Sequence, residues 1–261
     1  MNEIYNKVLD AMDEGLLTFM KKVPEPRKEA FQDHFVYCYT EKSIHQAIIL
    51  KLVRMISGLR ATQLLAEHGF VQEQASLQRM LDEIIESVEF LSYAVISGDI
   101  TERHKEYLEA FYEEMDIESS RNRPMIPRKK LRRYIESMEK KFSQMAGENK
   151  DIDKDVDPSR ILTKVYSDCL HAAAPAIMSL YYGEAKTFHT KGVVGTPRYE
   201  EHILDFMHVM FRAILSFTPA SAAFREKSVL NKIKEASKPF NELYFRHSPQ
   251  VRTSRKVSGN V

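Results

Sequence analysis

Apolar residues recur at helical spacing along almost the whole chain, and no stretch alternates with the period of two that a half-buried strand requires. Ile44, Ile48, Leu52, Met55, Ile56 and Leu59 form one stripe, which predicts a long helix from about Glu41 to Glu67 with Gly69 as its stop. Leu77, Leu81, Ile84, Val88, Leu91 and Val95 form a second stripe, ended by Gly98-Asp99. The short connection between them predicts a long antiparallel helix pair, and the fold expected around it is an all-α multi-helix bundle. With 9 Gly and 10 Pro in 261 residues, hairpin-rich β architecture is not expected.

The other helices follow from local signals. A helix is expected over Glu3–Lys22, a shorter one after Pro24-Glu25-Pro26, an acidic one from Thr101 to about Ile117, and one from Pro127 to about Ala146. Asp157-Pro158, Thr196-Pro197 and Thr218-Pro219 each set a capping oxygen before a first-turn proline. They predict helices of roughly Pro158–Tyr182, Pro197–Phe217 and Pro219–Ser237, the first kinked at Pro175. A chain of this size buries about 70–75% of its unfolded surface, enough for a core without disulfide staples. The expected organisation is a single helical domain over about 1–245, a basic linker at 119–127 within it, and a basic, disordered tail at 246–261. Cys38 and Cys169 alone make no disulfide framework and suit a reducing compartment. No apolar run approaches the roughly 18–20 residues of a membrane span, and Met1–Asp10 lacks a signal-peptide pattern. A cytoplasmic protein with no membrane partner is therefore expected.

The formal net charge of +1 is unevenly spread. Arg121, Arg123, Arg128, Lys129, Lys130, Arg132 and Arg133 form one basic segment, and Arg246, Arg252, Arg255 and Lys256 a second, neither holding an acid. Subtracting these eleven from +1 leaves −10 on the remaining residues. An acidic body with basic segments can hold a polyanion locally, and the same segments also serve as a solvated linker and tail. Neither segment interleaves aromatics, so base stacking on them is not expected.

The helix beginning at Pro197 carries the densest candidate chemistry. Glu201, His202, Asp205, His208 and Arg212 fall within an arc of about 120° at 3.6 residues per turn, on an otherwise apolar helix. Such a stripe must meet water, a pocket or a partner. Histidines and a carboxylate one turn apart can share a proton, but His202-x-x-Asp205-x-x-His208 is not a metal-site spacing and no metal is expected. On the preceding helix, Ser167 and His171 stand at i, i+4, where hydroxyl and imidazole can touch; no third orienting residue completes a hydrolase. Gly183–Thr196, with Gly192 and Gly195, lacks any nucleotide-binding fingerprint and reads as a loop. His45 reads as a core histidine, and Arg79 and Glu83 as an i, i+4 ion pair. Asp151-x-Asp153-x-Asp155-x-Asp157 lacks the Gly and Glu of a calcium loop.

With Arg79-x3-Glu83 on one long helix and Tyr166-Ser167-x3-His171 on a later one, the chain resembles a bacterial family of all-helical domains of unknown function, itself distantly similar to the HEPN helical superfamily. The resemblance spans roughly Ile44–Phe217 and implies an all-helical fold. HEPN members include toxin and anti-phage ribonucleases as well as inactive binding modules. Their catalytic Arg-x4–6-His pattern occurs here only as Arg27-x6-His34, outside the resembling region, and Lys164 stands seven residues before His171.

Two functions are expected from these readings. In the first, the chain is a nucleic-acid-associated module of a stress or anti-phage defence system, binding or cleaving RNA. His171, His202 and His208 then act as acid, base or phosphate ligands, Asp205 orients an imidazole, Arg212 takes negative charge, and Arg128, Lys129, Lys130, Arg132 and Arg133 guide the RNA backbone. In the second, it is a non-catalytic interaction module whose polar stripe forms an oligomer or partner interface. Neither reading calls for a cofactor, and both allow a protein partner or a homo-oligomer.

Overall fold

The computed structural model describes residues 2–31, 33–113, 126–145, 166–182 and 186–247; of residues 31, 182, 197 and 200–203 the backbone alone is described. Two helices, α2 (Ile44–Glu67) and α3 (Val71–Ser97), form the antiparallel pair expected from the two stripes. Ser43 opens α2 with a reciprocal capping box: Gln46 N–H donates to Ser43 Oγ at 3.3 Å, and Ser43 N–H to Gln46 Oε1 at 3.0 Å. Gly69 (φ 71°) turns the chain between the helices, and Gly98 (φ 69°) ends α3 in the left-handed conformation that glycine adopts at least cost. Ile48, Leu52, Met55 and Leu59 of α2 are buried with Leu81, Ile85, Val88 and Leu91 of α3. At Gly58 the helices approach so closely that a Cβ would lie 2.7 Å from Leu81 Cδ2.

Around this pair stand α1 (Asn2–Met20), α4 (Glu102–Tyr112), α5 (Arg128–Met145), α6 (Ala174–Met178), α7 (Pro197–Ala223) and α8 (Lys227–His247). The molecule is an all-α multi-helix bundle. Helix α7 runs against α3 on one side and α8 on the other, and α1 closes the far side against α8. Aromatic rings join these layers: Tyr5 meets Phe206 edge-on at 5.0 Å, and Phe19 stacks on Phe224 at 4.5 Å. One buried cluster draws residues from α1, α2, α3, α5, α7 and α8. Among the described residues no helix is long and apolar enough to cross a membrane.

Three expectations are corrected. The segment after Pro26 is not helical but a hairpin of β1 (Arg27–Phe31) and β2 (His34–Cys38), with Lys28 opposite Tyr37 and Ala30 opposite Phe35. Its second strand concentrates Phe, Val and Tyr, which fit a pleated surface, and the segment lacks the apolar spacing to bury a helical face. The helix expected to reach Tyr182 is broken rather than kinked. Residues 166–170 are helical, then Ala172 takes φ 50° while Ala173 N–H bonds Asp168 O at 2.9 Å, the closure of a Schellman cap. Beyond α6 the chain forms the small hairpin β3 (Tyr181–Tyr182) and β4 (Thr187–Phe188).

Thr218-Pro219, finally, starts no helix: α7 runs through Pro219 to Ala223, and α8 runs through Pro239. An interior proline costs about 3 kcal/mol. Burial of Ala220, Ala223 and Phe224 beyond the proline favours continuation. Residues 114–125, which hold most of the linker, the calcium-like run at 151–157, and 248–261 of the tail lie outside the described residues.

Candidate functional site

Helix α3 is covered by α2, α7 and α5, and this enclosure buries a face that a single amphipathic helix would leave wet. Gln74, Gln78, Asp82 and Glu86 follow one another at i+4 along that face, and Asp82 and Glu86 are each only 4% exposed. Ionised carboxylates at that depth require cationic partners. These come from two other helices. Arg212 of α7 donates from Nη1 to Asp82 Oδ1, with its Nη2 3.9 Å from Glu86 Oε1. Arg128 of α5 grips Glu86 with a two-pronged fork, Nε to Oε2 at 2.5 Å and Nη2 to Oε1 at 2.7 Å. Arg132, one turn on, adds Nε to Glu86 Oε1 at 2.9 Å. Glu86 therefore ties α5 to the bundle, and Arg212 ties α7 to the same helix.

The surroundings shift the proton affinities of the acids. Burial pushes the Asp82 carboxyl up, opposed by Arg212 and Arg128. Glu89, one turn beyond Glu86, is pushed up to about 8 by burial, against the opposing charge of Arg212 and with Glu139 and Glu86 adding to the rise. Tyr166, 4% exposed, has its phenol raised by burial and by the nearby charges of Asp205 and Asp82. The Cys169 thiol is likewise raised, by burial and then by Asp168 and Asp205, which disfavours the reactive thiolate.

Of the residues singled out on α7, Arg212 and His208 are engaged by other elements. Arg212, expected to receive a substrate's negative charge, already holds Asp82. His208 is half-buried, with Nδ1 2.8 Å from the Tyr244 hydroxyl of α8; burial lowers its pKa and Asp205 opposes this. His171 is exposed just past the helical residues 166–170, and its backbone N–H bonds Ser167 O at 3.0 Å. Among the described residues no hydrogen bond joins the Ser167 and His171 side chains, and none joins His171 to His208. The His202 and Glu201 side chains lie outside the described set. A three-histidine pocket is thus not assembled from the described residues.

The basic segment is split by helix geometry. Arg128 and Arg132, four apart, turn inward to Glu86, a correction to their expected place along an RNA backbone. Lys129, Lys130 and Arg133 are exposed on the opposite side, where Lys140 and Lys141 are exposed too. These five fall within an arc of about 120° over about 18 Å of helix, with Glu136 at its edge. Arg79 Nη1 donates to Glu83 Oε1 at 2.5 Å on the more exposed side of α3.

Two other candidates resolve as structure. Gly192 (φ 94°) and Val193 dock on the α2–α3 turn, Val193 N–H bonding Gly69 O at 3.0 Å, so that stretch does not present a phosphate cradle. His45 Nε2 lies 3.3 Å from Ala223 O, and its ring meets Phe224 edge-on at 5.0 Å. Among the described residues no group of His, Cys, Asp and Glu is placed to hold a metal ion. Sequence reasoning missed Asp82 and Glu86, although the ladder Gln74-x3-Gln78-x3-Asp82-x3-Glu86 ran beside the apolar stripe. No family model matches the chain, and no curated protein or solved structure matches it.

Proposed function

We propose that the chain is a nucleic-acid-associated helical module, of the kind found in bacterial stress or anti-phage systems, that holds RNA by its phosphates along α5. The observation that carries this reading is the outward ridge of Lys129, Lys130, Arg133, Lys140 and Lys141, displayed because Arg128 and Arg132 are anchored on Glu86. Binding rather than cleavage is favoured, since Arg212 and His208 are engaged by Asp82 and Tyr244.

Binding through phosphates releases counterions, with a log–log salt slope near −0.7 per phosphate on a single strand. Replacing Lys129, Lys130 and Arg133 together with Gln is expected to lower the slope for labelled RNA by about 2. An unchanged slope refutes the ridge, and shortened RNA on a denaturing gel refutes the restriction to binding.

A second reading, a protein or self-association interface, is favoured by the exposed Leu170, Ile177, Met178, Tyr181 and Phe188 within one short stretch of chain. Light scattering on an Ile177→Glu, Met178→Glu variant tests it: a fall in mass supports the interface, and an unchanged mass removes self-association.

A further inference from the structure

The face of the β1–β2 hairpin that carries Lys28, Ala30, Phe35 and Tyr37 is exposed throughout. Register places Lys28 directly opposite Tyr37, and Ala30 opposite Phe35, so all four side chains project from the same side. Phe35 is 62% exposed and Tyr37 73%, neither belongs to the buried core, and neither makes a ring–ring contact among the described residues. The Lys28 ammonium stands 3.9 Å from the centroid of the Phe35 ring. Among the paired hairpin residues 27–31 and 34–38, no carboxylate projects from this face; Glu29 projects from the other. Two bare aromatic rings beside a cation are unusual on a molecule that has buried Phe19, Phe90, Phe206, Phe217 and Phe240 completely.

We infer that this face is a stacking platform for unpaired bases, so that the nucleic acid taken by the protein is single-stranded. The inference deepens the proposed function and rests on it. Aromatic rings stack any base, and a neighbouring ammonium meets the phosphate that joins two of them. Spacing selects the strand state. Phe35 and Tyr37, two residues apart on a strand, lie about 7 Å apart, about twice the rise of stacked bases in a duplex. Bases that use both rings must therefore be unstacked from each other. A second copy of the chain fits the face less well, because it would bring two Lys28 ammoniums together on strands whose paired residues put no acid on that face. The expectation that stacking is absent rested on the two basic segments; here the rings and the phosphate ridge belong to different elements.

The chain contains no Trp, so Tyr37→Trp places a single reporter on the platform. The full chain carrying it is titrated with 12-nucleotide single-stranded RNA and DNA and with duplex RNA of the same sequence. Quenching by single strands and not by duplex is expected; a preference between RNA and DNA reports whether the 2′-hydroxyl is read. In otherwise unaltered protein, Phe35→Ala with Tyr37→Ala is expected to weaken single-strand binding by about 30-fold or more, with duplex binding and salt slope unchanged. Both positions are exposed, and an unchanged thermal melt confirms folding. Binding of single strand and duplex alike, with no quenching and no loss in the double Ala variant, overturns the platform and leaves the α5 ridge standing. Binding of neither overturns the ridge, and the platform with it.

Discussion

Glu86→Gln is the most discriminating single substitution in the bundle. It keeps the shape of the side chain and one acceptor oxygen, but removes the charge that Arg128 and Arg132 face at 2.5–2.9 Å. Arg128 would keep only the more distant carboxylates of Asp82 and Glu83, each at 3.9 Å, and Asp82 would still hold Arg212. Removing one member of a buried ion pair costs about 3–5 kcal/mol, chiefly because a charge is left without its partner. The Arg128 and Arg132 side chains keep 18% and 20% exposure, so water can relieve part of that cost. The expected loss is therefore near the lower bound, about 3 kcal/mol, or a fall in Tm of about 6–9 °C at this chain length. Glu83→Gln is the control: it removes a carboxylate that is 53% exposed, and an exposed i, i+4 pair contributes only about 0.5 kcal/mol. Urea denaturation followed by circular dichroism gives both values, and hydrogen exchange over 128–145 reports whether α5 loosens. If Glu86→Gln and Glu83→Gln differ by less than about 1 kcal/mol, the cluster is solvated and the anchoring of α5 is wrong.

Glu89 and His104 carry opposite pH signatures. Glu89 binds its proton more tightly in the folded state, up to about 8 against an ordinary value near 4.5, so its contribution to stability is complete below about 4.5 and is lost as pH rises to about 8. Glu89→Gln is expected to flatten that decline, and an unchanged pH–stability curve between 5 and 8 counts against it. His104, stacked on Phe90 at 4.1 Å, is lowered to about 4 by burial; its contribution is present above about 6.5 and lost as pH falls to about 4. Its imidazole NMR signals are expected not to titrate between pH 7 and 5, and a midpoint near 6.5 refutes the burial. Gly192→Ala would drive a Cβ into the His68 carbonyl oxygen at a φ of 94°, so a loss of about 1–3 kcal/mol is expected in a urea melt. No loss would mean the 191–195 stretch is not docked on the α2–α3 turn.

What the sequence disclosed depended on whether a signal was local. The apolar stripes of α2 and α3 each persist for several turns, and their Gly69 and Gly98 ends stand where a left-handed residue is needed. Thr196-Pro197 and Thr218-Pro219 look alike as dipeptides, yet only the first opens a helix. The difference lies in the partners of Phe217 and Ala220, which no window of sequence contains. The 27–38 hairpin was hidden by Pro24 and Pro26 just before it, which suit a helix start as well as a strand entry. Asp82, Glu86 and Arg212 were harder still. A charge on a helix reads as solvent-facing unless another element covers it, and α5, some forty residues downstream of Glu86, is what covers these.

One basic run is divided between the core and the surface. Helix α5 buries only Leu131, Ile135 and Met138, a narrow stripe for a helix of 18 residues. Arg128 and Arg132, four apart, line one edge of that stripe, so their contacts with Glu86 set the rotation of α5 and turn Lys129, Lys130 and Arg133 outward. Only a guanidinium presents two parallel N–H groups to one carboxylate; an ammonium meets it as a point charge. Arg128→Lys therefore keeps the net charge and loses the fork, for an expected cost of about 1–2 kcal/mol. It is expected to leave the salt slope of RNA binding unchanged, because position 128 does not face outward, whereas Lys129→Gln lowers that slope by about 0.7. A run that acted merely as a cloud of positive charge would show the reverse: Arg128→Lys would leave stability untouched, and Arg128→Gln would lower the slope as much as Lys129→Gln.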